Sequence, residues 1–218
     1  MSIYLDSRAA TVHDYDLLVD KREIFLFGRE EYVSPLEGVE PGVEFTMANR
    51  FIRNIRLLDI NDRPILIHMK TNGGYWEEGM AIYQAIKTCR SHVTIINYTH
   101  ARSMSSIIFQ AADHRVMLPY STFMFHDGTW GFHGTIKQAL TEYEQLNITS
   151  EQMYEIYINK IKHSKEFLDK SDFQIKKWLR TQMDKKEEVY LDPQRTVELN
   201  LADEILHDYD LTRIHGVQ

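Results

Sequence analysis

The chain has 218 residues, of which 43% are hydrophobic and 26% charged, a composition typical of a globular protein and not of a disordered or collagen-like chain. Acidic residues outnumber basic ones by 32 to 25, and the net charge of −7, with no basic patch to offset it, excludes general binding to nucleic acid or anionic lipid. The single cysteine, Cys89, excludes an internal disulfide and a thiolate metal site. No signal peptide or membrane-spanning run is recognisable, which predicts a cytoplasmic protein without a membrane partner.

The first half of the chain alternates short apolar strands with amphipathic helices. Strands are predicted at residues 24–27, 64–69, 93–98, 116–118 and 123–125, and helices at residues 47–58, 77–89 and 103–111. Residues 30–44, which are rich in proline, glycine and acid, are interpreted as an exposed loop. This alternation predicts an α/β fold with crossover connections and largely parallel strands.

Beyond Trp130 the sequence becomes charged and helical. Residues 135–180 carry apolar side chains at helical spacing, but too few for these helices to fold alone. We therefore expect the helices to pack on a partner or to project from the core. A strand at residues 189–193 and a helix at residues 196–203 are predicted to close the chain.

Three short segments have candidate chemical roles. Asn72-Gly73-Gly74 is typical of a hairpin, but the helical pattern after it favours a glycine turn whose amides approach a ligand. Ser103 begins a helix, where serine is most often an N-cap, although a nucleophile at this position would lie beside the Met104 amide. His126 ends a strand, where an imidazole is either structural or catalytic.

Other chemistry is not indicated. The sequence lacks phosphate-loop, dinucleotide-binding and zinc-peptidase motifs, and the ten histidines show no metal-ligand spacing. Neither a metal nor a cofactor is therefore expected.

The three segments and their neighbours form an ordered set. The set consists of Lys70-Thr71-Asn72-Gly73-Gly74, Gly79-Met80-Ala81-Ile82-Tyr83, Ala101-Arg102-Ser103-Met104-Ser105-Ser106, Leu118-Pro119 and Met124-Phe125-His126. In this order the runs resemble the proteolytic subunit of the Clp protease. Residues 21–28 are similar to the first strand of that family, and residues 190–205 to its closing strand and helix. The resemblance covers roughly residues 15–207.

The resemblance implies a fold and an assembly. It implies one Clp-type peptidase domain over residues 1–218, with an α/β spiral of the Clp protease and crotonase type as its head, at about residues 15–130 and 188–210. A helical handle would project at about residues 131–187. It further implies self-assembly into two stacked seven-membered rings, unfolded polypeptide substrates, an ATP-using AAA+ unfoldase as partner, and no cofactor in the chain itself.

The resemblance also implies residue roles for a serine endopeptidase. Ser103 is the expected nucleophile, His126 the base, and Glu188 the orienting acid, with Asp184 as the alternative acid. The amides of Gly74 and Met104 are expected to form the oxyanion hole. The expected substrate-binding residues are Gly73, Trp130, Gly131, Phe132, His133 and Gly134. The last five are similar to the glycine-rich strand of the family, although a plain turn explains their pattern equally well.

Four departures from the family pattern support a rival interpretation. Thr71-Asn72 replaces Ser-Pro, Arg102 and Ser105 replace a small residue and a glycine, Glu188 replaces aspartate, and residues 30–44 and 160–185 are longer. The Arg102 guanidinium would lower the histidine pKa, bind a substrate carboxylate or point into an interface. The rival is an inactive structural subunit of a mixed ring. A crotonase-type enzyme acting on acyl-CoA thioesters is a further alternative, but it would not require Ser103 and His126 together.

Overall fold

The computed structural model of the chain describes residues 7–28 and 41–214. Most of the loop predicted at residues 30–44 lies outside these residues. The described strands are β1 Leu17–Leu18, β2 Glu23–Phe27, β3 Ile65–Thr71, β4 Val93–Arg102, β5 His114–Met117, β6 Thr122–Phe125, β7 Val189–Leu191 and β8 Glu204–Ile205. The described helices are α1 Ser7–Tyr15, α2 Phe45–Leu58, α3 Trp76–Lys87, α4 Met104–Phe109, α5 Ile136–Ile161, α6 Asp172–Lys185 and α7 Pro193–Glu198.

These strands form one sheet in the order β1-β2-β3-β4-β5-β8, with β6 and β7 attached through β4. Only the β1–β2 and β6–β7 pairs of the described sheet are antiparallel. The ten-residue β4 changes its neighbour along its length, pairing first with β5 and then, from His100 to Arg102, with β6. The predicted α/β fold with largely parallel strands is confirmed, and the end of β4 lies between β3 and β6.

The two faces of the sheet are covered differently. Ile65 and Ile67 of β3 face the main core, where they belong to one apolar cluster with Phe51 and Ile55 of α2. Leu66, on the opposite face, belongs to a smaller cluster with Ile96 and residues near the carboxyl terminus. The five leading residues of β3 are all buried, and four of them are apolar, because a central parallel strand is buried on both sides.

The closing segment is shorter than predicted. β7 ends at Leu191, and α7 runs from Pro193 to Glu198 because Asp192 caps it and proline is suited to its first position. The chain then turns at Asn200, which has φ 57°, and enters β8. The helix expected at residues 196–203 is therefore wrong in its second half.

Helix α5 is both the longest described helix and the least covered. Its 26 residues correspond to about 39 Å at the rise of an α-helix. Met153, Tyr157 and Ile161 in its second half are buried in the main core, whereas Ile136 and Leu140 in its first half are exposed. Helix α6 packs against the buried half through Ile175, Leu179 and Met183.

Candidate active site

The junction between β4 and α4 is strained at Ser103. This residue has φ 51° and ψ −127°, an uncommon conformation for a residue that carries a side chain. Its side chain makes no capping hydrogen bond to α4, so the N-cap interpretation is wrong. The backbone N–H of Ser103 donates to the carbonyl of Met124 at 3.0 Å, which ties the bend to β6.

Two serines after Ser103 hold this bend in place. The Ser105 hydroxyl lies 2.7 Å from the carbonyls of both Thr71 and Arg102, and it accepts from the Arg102 N–H at 2.9 Å. The Ser106 hydroxyl donates to the Ser103 carbonyl at 2.6 Å and lies 2.7 Å from the hydroxyl of Tyr157. Ser105, the departure from the family glycine, therefore joins β3 to β4. Ser106 joins the bend to α5.

The glycine turn after β3 packs directly on the Ser103 bend. Gly73 has φ 98°, and a Cβ atom at this position would lie 2.6 Å from the Arg102 carbonyl and 2.8 Å from the Ser103 Cβ. Only glycine fits both the backbone conformation and this close approach. A parallel strand and α3 flank the turn, so the hairpin interpretation is wrong and the ligand-approach interpretation stays a prediction.

Two backbone amides beside the Ser103 bend are not used by the neighbouring bridge or helix. The carbonyl of Gly73 accepts from the Val43 N–H at 2.6 Å, and the Tyr75 N–H donates to the Val43 carbonyl at 2.9 Å. In a parallel bridge of this kind, the N–H of the intervening residue, Gly74, is directed away from the partner strand. Met104 is the first residue of α4, so its N–H has no acceptor within the helix.

His126 lies directly beside Ser103. It follows the last residue of β6, which pairs with the end of β4, and its Nε2 atom is 2.7 Å from the Ser103 Oγ. The imidazole is partly buried. A serine hydroxyl at hydrogen-bond distance from a histidine nitrogen is the pair needed for nucleophilic catalysis by serine.

The two candidate acids, Glu188 and Asp184, lie at different places relative to His126. Phe125 pairs with Val189 in the β6–β7 ladder, so the next residue of each strand brings His126 and Glu188 alongside each other. The Glu188 carboxylate accepts a hydrogen bond from the Tyr190 hydroxyl at 2.8 Å, and this bond raises the pKa of Tyr190. Asp184 is exposed on α6. No hydrogen bond joins His126 to either acid in residues 7–28 and 41–214.

The Arg102 side chain contacts Tyr190. Its guanidinium carbon lies 5.3 Å from the centre of the Tyr190 ring, within the range of a cation–π contact. The same tyrosine bonds Glu188, so Arg102 contacts the candidate acid through Tyr190 rather than contacting His126.

A cavity of about 390 Å³ adjoins the pair. Most of its remaining lining is apolar or aromatic, and among the described residues Asp127 is the only carboxylate that lines it. Its lining residues are Gly74, Tyr75, Trp76, Ser103, Met104, Ile107, His126, Asp127, Gly128, Thr129, Trp130, Leu146, Asn147, Thr149, Ser150, Met153 and Tyr157. Helix α5 therefore forms the wall opposite α4.

The segment from Trp130 to Gly134 contributes little to this cavity. Trp130 lines it, and its ring stacks on Phe132 at 6.0 Å, whereas Gly131, His133 and Gly134 are exposed outside it. Residues 126–135 form no strand in the single chain, so the glycine-rich strand expected here is not present. The physical reason is that no neighbouring strand of the described chain pairs with this segment.

Sequence reasoning missed several residues that support the site. The sequence places Tyr157 only in an amphipathic helix and Ser106 only in the run that resembles the family, and nothing in their spacing identifies a hydrogen bond across 51 residues. Asp127 is recognisable in the sequence as an acid next to His126, but only the structure shows that it lines the cavity.

The described residues contain no cluster of three or more metal-ligand side chains. Among them no helix is long and apolar enough to cross a membrane.

Comparisons with known proteins identify relatives of this chain. The family model of the Clp protease matches residues 37–209. The ATP-dependent Clp protease proteolytic subunit of Deinococcus radiodurans is 27% identical over 168 residues, which are 75% of this chain and 76% of the relative. The subunit of the same name from Paracoccus denitrificans is 29% identical over 139 residues, covering 62% and 69% of the two chains.

The fold of the chain is also similar to that of a solved structure. A mutant of ClpP1 from Listeria monocytogenes superposes with a TM-score of 0.67 at 20% identity, and the match covers 92% of this chain and 97% of that one. The structural match establishes a Clp protease type of α/β fold, and the family model spans more than half of the sequence. The chain therefore belongs to the Clp protease family.

Proposed function

We propose that this chain is a serine endopeptidase, the proteolytic subunit of a Clp-type protease. The observation that carries the proposal is the 2.7 Å contact between the Ser103 Oγ and the His126 Nε2 at a strained bend. Two amides not used in the neighbouring backbone bridge or in α4, those of Gly74 and Met104, line the same cavity. A purely structural role would require none of these features together.

The proposed chemistry is acyl transfer to Ser103. The Ser103 Oγ attacks the carbonyl carbon of the scissile bond while the His126 Nε2 accepts the hydroxyl proton. The N–H groups of Gly74 and Met104 donate to the oxyanion. One such donor typically lowers the activation barrier by about 2.7–4 kcal/mol. His126 then gives its proton to the leaving amine, and water hydrolyses the acyl-enzyme with His126 again as base.

We assign the orienting acid to Glu188 rather than to Asp184. The β6–β7 register brings residue 188 alongside His126, whereas Asp184 lies on α6. In the structure Glu188 accepts from Tyr190 through Oε2, so the carboxylate would have to turn, or use its second oxygen, to accept from the imidazole N–H and hold the histidine tautomer.

Assembly is the second part of the proposal. The exposed half of α5 places apolar side chains of Ile136, Leu140 and Tyr143 on one face at helical spacing. Following the family, we assign this face to contact between two stacked rings of seven copies and the enclosed chamber to unfolded polypeptides.

Residues Gly73 and 130–134 would pair with the substrate backbone as an added strand. An AAA+ unfoldase of the Clp type would deliver the substrate with the use of ATP.

One observation favours a second candidate, an inactive structural subunit of a mixed ring. His126 has no carboxylate partner in the described part of the chain, and the nearest acid by register is bound to Tyr190. A serine–histidine pair without an orienting carboxylate loses most of its catalytic power.

Labelling with a fluorophosphonate probe separates the two candidates. The full-length protein is incubated with the probe, the modified residue is located by mass spectrometry, and hydrolysis of a fluorogenic peptide is measured in the same sample. The peptidase proposal expects modification at Ser103 and loss of both signals in Ser103→Ala.

The matched control is Ser150→Ala, because Ser150 lines the same cavity without bonding to a histidine. This variant should keep both labelling and hydrolysis. Light scattering on the same sample reports the size of the assembly. A ring that neither labels nor hydrolyses peptide would support the structural subunit and overturn the peptidase proposal.

A further inference from the structure

One acidic side chain lies in the cavity beside the proposed nucleophile. Asp127 directly follows His126 and is the only carboxylate among the cavity-lining residues of the described chain. It forms no ion pair with a basic residue of residues 7–28 and 41–214. The cavity therefore contains a negative charge that no described residue neutralises directly.

A buried tyrosine fixes the position of this carboxylate. The hydroxyl of Tyr154, on the core side of α5, donates to the Asp127 Oδ1 atom at 2.9 Å, and Tyr154 is only 3% exposed. Burial and the bond to Asp127 together raise the pKa of Tyr154 to about 12, so the phenol remains a donor at neutral pH. Asp127 is thus held by a rigid element although its own segment has no regular structure.

Two basic residues contact the same tyrosine. Lys176 and Arg180 of α6 each lie above the Tyr154 ring, at 5.3 and 5.4 Å from its centre, and both pair with Glu151. Neither of them lines the cavity. Arg180 also interacts with the Tyr154 hydroxyl, so both cations reduce the field of Asp127, but neither forms an ion pair with it in the described chain.

The remainder of the cavity suits a long aliphatic stem. Ile107, Met104 and Met153 line its inner part, and the rings of Trp76 and Trp130 contribute aromatic surface. Apolar walls bury the methylene groups of a lysine or arginine side chain, and aromatic faces attract its terminal cation.

On the basis of the proposed peptidase function, we infer that this cavity selects substrates that carry a lysine or arginine at the residue whose carbonyl Ser103 attacks. The aliphatic stem packs between α4 and α5, and the terminal charge pairs with Asp127. Tyr154 is a positioning residue that holds the carboxylate toward the cavity.

The test compares two peptides that differ by one charge. Fluorogenic peptides of one sequence carry lysine or norleucine at the selected position, because norleucine has the aliphatic chain of lysine without the ammonium group. For the wild-type protein we expect kcat/KM to be about fivefold higher for the lysine peptide, the range of one partly exposed ion pair. This preference should shrink as salt is added.

Three variants locate the source of the preference. Asp127→Asn should bring the ratio of the two kcat/KM values close to one, and this ratio, not the absolute rate of either peptide, is the measured quantity. Tyr154→Phe should reduce the ratio partially. Asp62→Asn is the matched control, because this exposed residue lies in the loop between α2 and β3 and its substitution changes the net charge equally.

The outcomes separate this inference from the proposed function. A wild-type ratio near one, or a ratio that Asp127→Asn leaves unchanged while peptides are still cleaved, overturns the inference alone. If no peptide is cleaved, the affinities of both peptides for Ser103→Ala, measured by fluorescence anisotropy, test the cavity directly. Tighter binding of the lysine peptide that Asp127→Asn abolishes supports the inference, and equal affinity overturns it.

Discussion

The hydroxyl of Tyr190 donates a hydrogen bond at 2.8 Å to the Oε2 atom of Glu188, the acid that the strand register places alongside His126. Arg102 lies over the ring of the same tyrosine. The aromatic residue of β7 therefore links two of the positions at which this chain departs from the family pattern.

Removal of the Tyr190 hydroxyl should free the carboxylate. If Glu188 orients His126 during catalysis, Tyr190→Phe removes a competing hydrogen bond worth about 1 kcal/mol and should raise kcat/KM about fivefold. The ring that contacts Arg102 is retained. Glu188→Gln should instead lower kcat by up to about 10⁴-fold, because the orienting carboxylate that holds the histidine tautomer is lost. A fall in Tyr190→Phe as deep as that in Glu188→Gln would mean that the hydroxyl positions the acid.

A side chain at Gly73 should disrupt the Ser103 bend. Gly73→Ala places a Cβ atom 2.6 Å from the Arg102 carbonyl, in a left-handed conformation that costs about 1–2 kcal/mol by itself. We expect a lower free energy of unfolding in urea and loss of probe labelling at Ser103. Gly131→Ala is the matched control, because nothing lies within 4 Å of its Cβ position. Equal behaviour of the two variants would contradict the close-packing explanation.

The Ser105 hydroxyl should contribute measurably to stability. Ser105→Ala leaves the buried Arg102 N–H without its acceptor and removes the bond to Thr71, so the free energy of unfolding should fall by about 1–3 kcal/mol. Denaturation in urea, followed by far-UV circular dichroism, measures this change. Ser103→Ala removes a hydroxyl that caps no helix and should change stability much less.

Acid should destabilise the protein partly through Asp203. Burial alone would raise the pKa of this carboxyl, but the hydrogen bonds and charge of the buried Arg115 outweigh burial and lower the pKa. The ionised carboxylate therefore stabilises the fold above its ordinary pKa of 3.8, and this stabilisation is lost as the pH falls toward the lowered value. Urea midpoints measured between about pH 6 and pH 3 should show the decline.

Asp203→Asn is the control for this pH dependence. It should destabilise the protein at neutral pH by about 1–3 kcal/mol, less than for a fully buried pair because Asp203 is partly exposed. It should also have a shallower decline in acid than the parent protein. Parallel curves for the two proteins would assign the acid sensitivity to other carboxylates.

The sequence was sufficient to predict most elements because their signals are local. The apolar run of β3 and the helical spacing of Phe51 and Ile55 in α2 depend only on burial, and the structure has both elements. The end of α7 was missed because the turn at Asn200 is set by its contacts. There the Arg115 side chain donates to the Asn200 carbonyl across 85 residues.

The candidate site was predictable only in part, for a related physical reason. The Gly73, Ser103 and His126 segments carry recognisable residue types, and the structure brings all three together. The hydrogen bond from Tyr190 to Glu188 depends on side-chain directions that no spacing encodes. The cavity wall that α5 forms could not be predicted either, because an amphipathic stripe does not specify which surface it covers.

The strained backbone at Ser103 has a consequence for biosynthesis. The contacts that hold it come from Thr71, which is 34 positions from Ser105, and from Tyr157, which is 51 positions from Ser106. On a ribosome, a nascent chain that stops before α5 lacks the tyrosine contact, so we expect residue 103 to relax there to an ordinary backbone conformation. If Ser103 is the nucleophile, its strained geometry is then completed only after α5 has been made, and we expect incomplete chains to be inactive toward other newly made proteins.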